Sequence, residues 1–190
     1  MSINEADIKI CSNALQVLGA DPINSFEDET REAQVCSSIY PLIKRNTLQK
    51  HYWRFSIRQE QLGQLSATPL YGYAKAYQLP SDYLRFVGKQ NPSIEHQIYE
   101  NKIYTDADPL FVSIQYEVSA QYFPSYFEYL LQLELMKDLA LGLMEDESKE
   151  QRLAAKAREQ LIIARTIDSQ NGTVNVIPQE LFTLTTARQI

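Results

Sequence analysis

The sequence predicts an α+β fold, mainly helical: a bundle of about four helices with a small inserted antiparallel β domain and an extended C-terminal arm. Three observations predict it. Apolar residues recur at helical spacing through residues 6–47 and again through 124–164. Between them the period falls to two, with Leu110, Val112, Ile114, Tyr116 and Val118 alternating with Phe111, Ser113, Gln115 and Glu117. After Asn171-Gly172 the helical period stops, and a strand-like segment with Pro178 in its middle follows. The chain thus divides into N-terminal bundle helices over 1–51, the β domain over 52–120, C-terminal bundle helices over 121–172 and the arm over 173–190.

Each element has a local cause. Ser2 to Glu5 reads as a capping box that starts a first helix, with Ala6, Ile10, Cys11, Ala14, Val17 and Leu18 on its inward face. Gly19 ends it by entering the left-handed region, and an acidic loop through Glu27, Asp28 and Glu29 follows. A second helix begins near Glu29 or Thr30 and turns Ala33, Cys36, Tyr40, Ile43 and Thr47 inward. Pro41 removes one of its hydrogen bonds, which predicts a kink in a continuous helix. In the middle third, Tyr77, Leu79 and Tyr83 to Val87 flank a Pro80-Ser81-Asp82 turn, and Ile94 to Tyr99 pairs with Ile103 to Thr105 across Glu100-Asn101-Lys102.

Pro124 suits the first turn of a long third helix running to about Glu145. Leu131, Leu135 and Leu139 share one side, Leu130 and Leu141 lie nearly opposite, and Leu133, Met136, Ala140 and Leu143 take a third direction. A helix apolar all round must be buried all round. The expectation is that its own bundle covers part of it and a neighbouring copy the rest, with Leu131, Leu135 and Leu139 at the subunit interface. Ser148-x-x-Gln151 is expected to cap a fourth helix with Leu153, Ala157, Leu161 and Ala164 inward. The arm carries Val176, Ile177, Leu181 and Phe182, which are expected to lie on a neighbouring subunit or another partner.

Composition narrows the function classes. The 190 residues are 44% hydrophobic, and no stretch approaches the roughly 20 apolar residues of a membrane span. Residues 1–5 carry no basic start to an apolar run, so neither membrane insertion nor secretion by signal peptide is expected. Eighteen Lys and Arg against 24 Asp and Glu give a net charge of -6, which disfavours a dedicated duplex-DNA binder. Twelve Tyr and seven Phe fit either an aromatic core or extensive wet interfaces. Cys11 and Cys36 are read as structural thiols, and His51 and His96 sit in no ligand spacing, so no metal or cofactor is expected. No phosphate-binding glycine loop or nucleophile elbow occurs, Asp106 and Asp108 fit a turn before Pro109, and Glu145 to Glu147 fit a solvated loop. An enzyme is not expected.

One basic stretch stands out. Lys44, Arg45, Lys50, Arg54 and Arg58 occur with no acid between residues 44 and 59, interleaved with Tyr52, Trp53 and Phe55. Such a run can hold single-stranded nucleic acid by phosphate attraction and stacking. The alternative is that Trp53 and Phe55 plug the helix-to-sheet junction, while Lys44, Arg45 and Lys50 meet acidic groups of a protein partner.

Several local motifs converge on a known family. They are Ala14-Leu15-Gln16-Val17-Leu18-Gly19 followed by Asp21-Pro22-Ile23 and Ser25, then Trp53-Arg54-Phe55-Ser56. Next come Tyr77-Gln78-Leu79-Pro80-Ser81-Asp82-Tyr83-Leu84-Arg85, the paired Ile98-Tyr99 and Ile103-Tyr104-Thr105, Ile114-Gln115-Tyr116, and the helix from Pro124 through Phe127 to Leu143. Over residues 6–168 the chain resembles the tail tubular protein A family, the head-to-tail adaptors of short-tailed bacteriophages. The resemblance implies a virion protein of the neck, assembled in the host cytoplasm as a ring, usually of twelve copies. Its partners would be the portal protein, the tail nozzle or tail tube protein, and genomic DNA passing through the bore without sequence recognition. The alternative from another class is a small-oligomer binding module that contacts nucleic acid through residues 44–58.

Overall fold

The computed structural model describes residues 5–70, 72–89, 91 and 93–170. Four helices carry most of it: α1 (Glu5–Leu18), α2 (Arg31–Gln49), α3 (Ser125–Met144) and α4 (Glu147–Gln170). Six strands fall between α2 and α3: β1 (Ile57–Gln61), β2 (Lys75–Gln78), β3 (Tyr83–Lys89), β4 (Gln97–Tyr99), β5 (Lys102–Thr105) and β6 (Phe111–Tyr116). The fold is α+β and mainly helical, as the periodicities predict. Ser2 and the arm residues Val176, Ile177, Leu181 and Phe182 lie outside the described residues.

α3 is the axis of the bundle, with α1, α2 and α4 packed around it. Phe127, Leu130, Leu131, Leu133, Leu135, Met136, Leu139 and Ala140 are all buried, in one core with the inward faces of the other three helices. The chain's own helices therefore cover most of the all-round apolar pattern, while Leu141, at 52%, stays exposed. On α1, Ile10, Cys11, Ala14, Leu15 and Leu18 face this core, but Val17 does not. At 100° per residue Val17 sits to one side of the Ala14–Leu18 line, where it is left exposed. Gly19, at φ 87°, ends α1 in the left-handed region that glycine enters at low cost.

Thr30 caps α2, accepting the Ala33 N–H on Oγ1 at 3.2 Å. The helix runs through Pro41 without interruption, and its inward stripe of Ala33, Cys36, Tyr40, Ile43 and Thr47 is the one read from the spacing. The last turn of α2 is closed by side chains from afar: Trp53 Nε1 donates to the Thr47 carbonyl, and Gln115 Nε2 to that of Leu48. The cap of α4 differs from expectation. Asp146, not Ser148, accepts the Lys149 N–H, at 2.8 Å. A carboxylate in the short α3–α4 turn reaches the first helical amides before Ser148, already inside the helix, can do so.

The strands form two antiparallel three-stranded sheets, β1-β6-β3 and β2-β5-β4, where the sequence suggested one. β1 is too polar to show an alternating pattern. The β4–β5 hairpin turns at Glu100 and Asn101, both with positive φ, the twist that tight hairpins favour. Between the sheets lies a second, smaller core of Leu62, Tyr77, Leu79, Ile103, Leu110, Val112 and Ile114.

Candidate functional site

The sheets meet the bundle at a joint built largely from polar groups. Trp53 is fully buried, edge-on to Phe127 with centroids 5.2 Å apart, and Phe55 packs on Phe123 and Phe127. Both aromatics thus plug the junction. Behind them, buried Gln115 shares the two hydrogens of Nε2 among the carbonyls of Leu48 and His51 and Ser56 Oγ, at 2.8–2.9 Å, and accepts from Arg85 Nε at 2.7 Å. Arg85 stacks over Tyr52 at 3.5 Å, and Arg58 grips Asp82 through two hydrogen bonds of 2.6 and 3.0 Å. Asp168, near the end of α4, accepts the Arg54 N–H and the Tyr126 hydroxyl. His51 Nε2 lies 3.7 Å from the same carboxylate. Burial lowers the His51 pKa first; Asp168 opposes this, and Arg165, Arg85 and Arg54 add to it. This joint brings together Trp53, Arg54, Ser56, Asp82, Arg85 and Gln115, from segments far apart in the sequence.

The basic stretch is consumed mostly inside the fold. Lys44 is buried and ion-paired with Asp7 of α1 at 3.1 Å. Lys50 pairs with Glu134 of α3, and Arg58 with Asp82 and Glu60. Lys44 and Lys50 are therefore not the free partner-contact cations that the run of residues suggested; their acids lie far away in sequence. Arg45 and Arg54 remain exposed. Burial raises the Glu134 pKa, but the hydrogen bond and charge of Lys50, with Lys137, overcome it and leave the pKa below its ordinary 4.5. The contribution of this pair is present in full above that value and drains away as pH falls through the depressed one. A Glu134→Gln variant should accordingly show a shallower loss of urea midpoint than the parent between about pH 5 and 3. Parallel curves would exclude this carboxylate as a source of acid sensitivity.

The assigned interface residues also need correction. Leu131, Leu135 and Leu139 are each 0% exposed within the single chain, so they have no surface to offer a neighbour. Exposed apolar groups lie elsewhere, and among them are Ile162, Ile163 and Ile167 on the outward side of α4, at 67%, 51% and 37%. Ile162 and Ile163 fall off the Leu153, Ala157, Leu161, Ala164 stripe, a signal readable from the spacing alone.

Other candidate groups serve the fold. Asp106 accepts the Ala74 N–H, and Asp108 pairs with Lys75. Cys11 and Cys36 are buried free thiols, and the hydrogen bond between them, with burial, pushes the Cys11 pKa up. Among the described residues, no three His, Cys, Asp or Glu side chains come together to hold a metal ion, and no helix is long and apolar enough to cross a membrane. No protein-family model matches this chain, and no curated protein shows significant similarity to it.

Proposed function

We propose that the protein is a structural virion subunit: a head-to-tail adaptor that forms a ring between portal and tail nozzle, with DNA passing through the bore. The observation that carries self-association is the isoleucine group on α4. Ile162, Ile163 and Ile167 are held in water by a helix whose other face is occupied. A fully buried aliphatic side chain contributes roughly 1.5–3 kcal/mol, so even partial burial repeated around a ring is substantial. The adaptor identity rests on the resemblance over residues 6–168. The net charge of -6 suits a bore through which DNA must slide without being held.

Size-exclusion chromatography with light scattering, on the chain alone and mixed with portal rings, tests this reading. The expected result is a ring-sized species, or a stable complex with portal, that Ile163→Asp with Ile167→Asp abolishes while the subunit stays folded. A monomer in both conditions, or steep salt-dependent binding of a single-stranded oligonucleotide instead, would overturn it.

A further inference from the structure

Val17 and Leu18, at the end of α1, overhang an open groove of about 260 Å³. Met136 of α3 lines it, and its other wall is Lys149, Arg152, Leu153 and Lys156 of α4. Val17 is 74% exposed, the aliphatic group that left the inward face of α1. The cations stand at i, i+3 and i+7, a single helix face about 10 Å long.

None of these three cations has a carboxylate within 4.0 Å among the described residues. Lys149 Nζ reaches only Met144 Sδ at 3.4 Å, and Arg152 Nε only the Ser148 carbonyl at 3.3 Å. Lys149 also sits in the first turn of α4, where the helix dipole disfavours positive charge. Among the described residues, then, this row of cations makes no ion pair, and it borders an apolar groove.

We propose that the groove docks an acidic amphipathic helix of a partner protein. Its apolar side chains would cover Val17, Leu18, Met136 and Leu153, and its carboxylates would face Lys149, Arg152 and Lys156. A helix fits because carboxylates at i, i+3 and i+7 repeat the spacing of the cations, and because apolar anchors at that spacing suit a groove walled by two helices. The apolar lining is aliphatic and has no aromatic ring for a base to stack on, which disfavours single-stranded nucleic acid. This inference does not depend on ring formation.

The test is fluorescence anisotropy of the full chain with three labelled probes. One is a synthetic helical peptide with Leu at i, i+3 and i+7 flanked by Glu; the second has Lys in place of every Glu; the third is a single-stranded oligonucleotide. The acidic peptide should bind saturably and more weakly as salt rises, and the Lys peptide should not bind. Arg152→Glu with Lys156→Glu, and separately Val17→Asp, should each weaken acidic-peptide binding roughly tenfold or more. All three positions lie on the surface, and circular dichroism checks that the variants stay folded. No binding of the acidic peptide, equal binding by the charge-reversed variant, indifference to Val17→Asp, or an oligonucleotide that competes at similar strength would each overturn the proposal.

Discussion

Replacing Asp7 with alanine should remove about 3–5 kcal/mol of unfolding free energy, the typical penalty for breaking a buried ion pair from one side. Asp7 Oδ1 accepts the Tyr40 hydroxyl at 2.5 Å and the Lys44 ammonium at 3.1 Å, and Asp7 and Lys44 are only 2% and 6% exposed. Burial first, and then the bond to Asp7, push the Tyr40 pKa upward, so its hydroxyl remains a donor at any ordinary pH. Without Asp7 the buried Lys44 ammonium loses its ion-pair partner, and the Tyr40 and Phe123 rings, at 6.0 and 5.6 Å, supply only a weaker attraction. Urea denaturation measures the loss. The double replacement Asp7→Leu with Lys44→Met should recover much of it, since an apolar pair needs no counter-charge. If Asp7→Ala shifts stability by less than about 1 kcal/mol, the pair behaves as a solvated one and the account fails.

Gln115→Leu should lower stability by about 3 kcal/mol or more, despite its similar volume and better match to a core. The change leaves the Leu48 and His51 carbonyls, Ser56 Oγ and Arg85 Nε without their Gln115 partner. Each buried group so deprived costs about 1–3 kcal/mol, though the costs are not additive. Hydrogen exchange should show the last turn of α2 opening more readily, because the Leu48 carbonyl loses its cap. A variant as stable as the parent would mean that water replaces the amide and that the joint is not held as described.

These two sites mark where the sequence could be read and where it could not. The helices were legible because their causes are local: Thr30, Gly19 and Pro124 act within a few residues, and the Ala33-to-Thr47 stripe follows from helix geometry. Gln115 was placed on the polar side of an alternating strand, and that alternation is real. The polar side at this point faces the bundle, so the residue there is both polar and buried, which no period-two pattern can reveal. The basic stretch failed for a related reason. The partners of Lys44 and Lys50 are 37 and 84 residues away, and charge runs are blind to such distances. The burial of Leu131, Leu135 and Leu139 follows from the helix pattern, but the sequence does not say what covers them. The exposed isoleucines of α4 needed only the spacing that had already been used for its inward face.

The enclosure of α3 by helices of its own chain bears on how the particle would be put together. A chain whose own helices bury the core face of α3 has that core without a neighbour, so a dependence of its melting temperature on concentration would report association of folded chains rather than completion of the fold. Joining and separation then become encounters between finished bodies. On the proposed reading, subunits would join and part as folded bodies, without passing through an aggregation-prone unfolded chain.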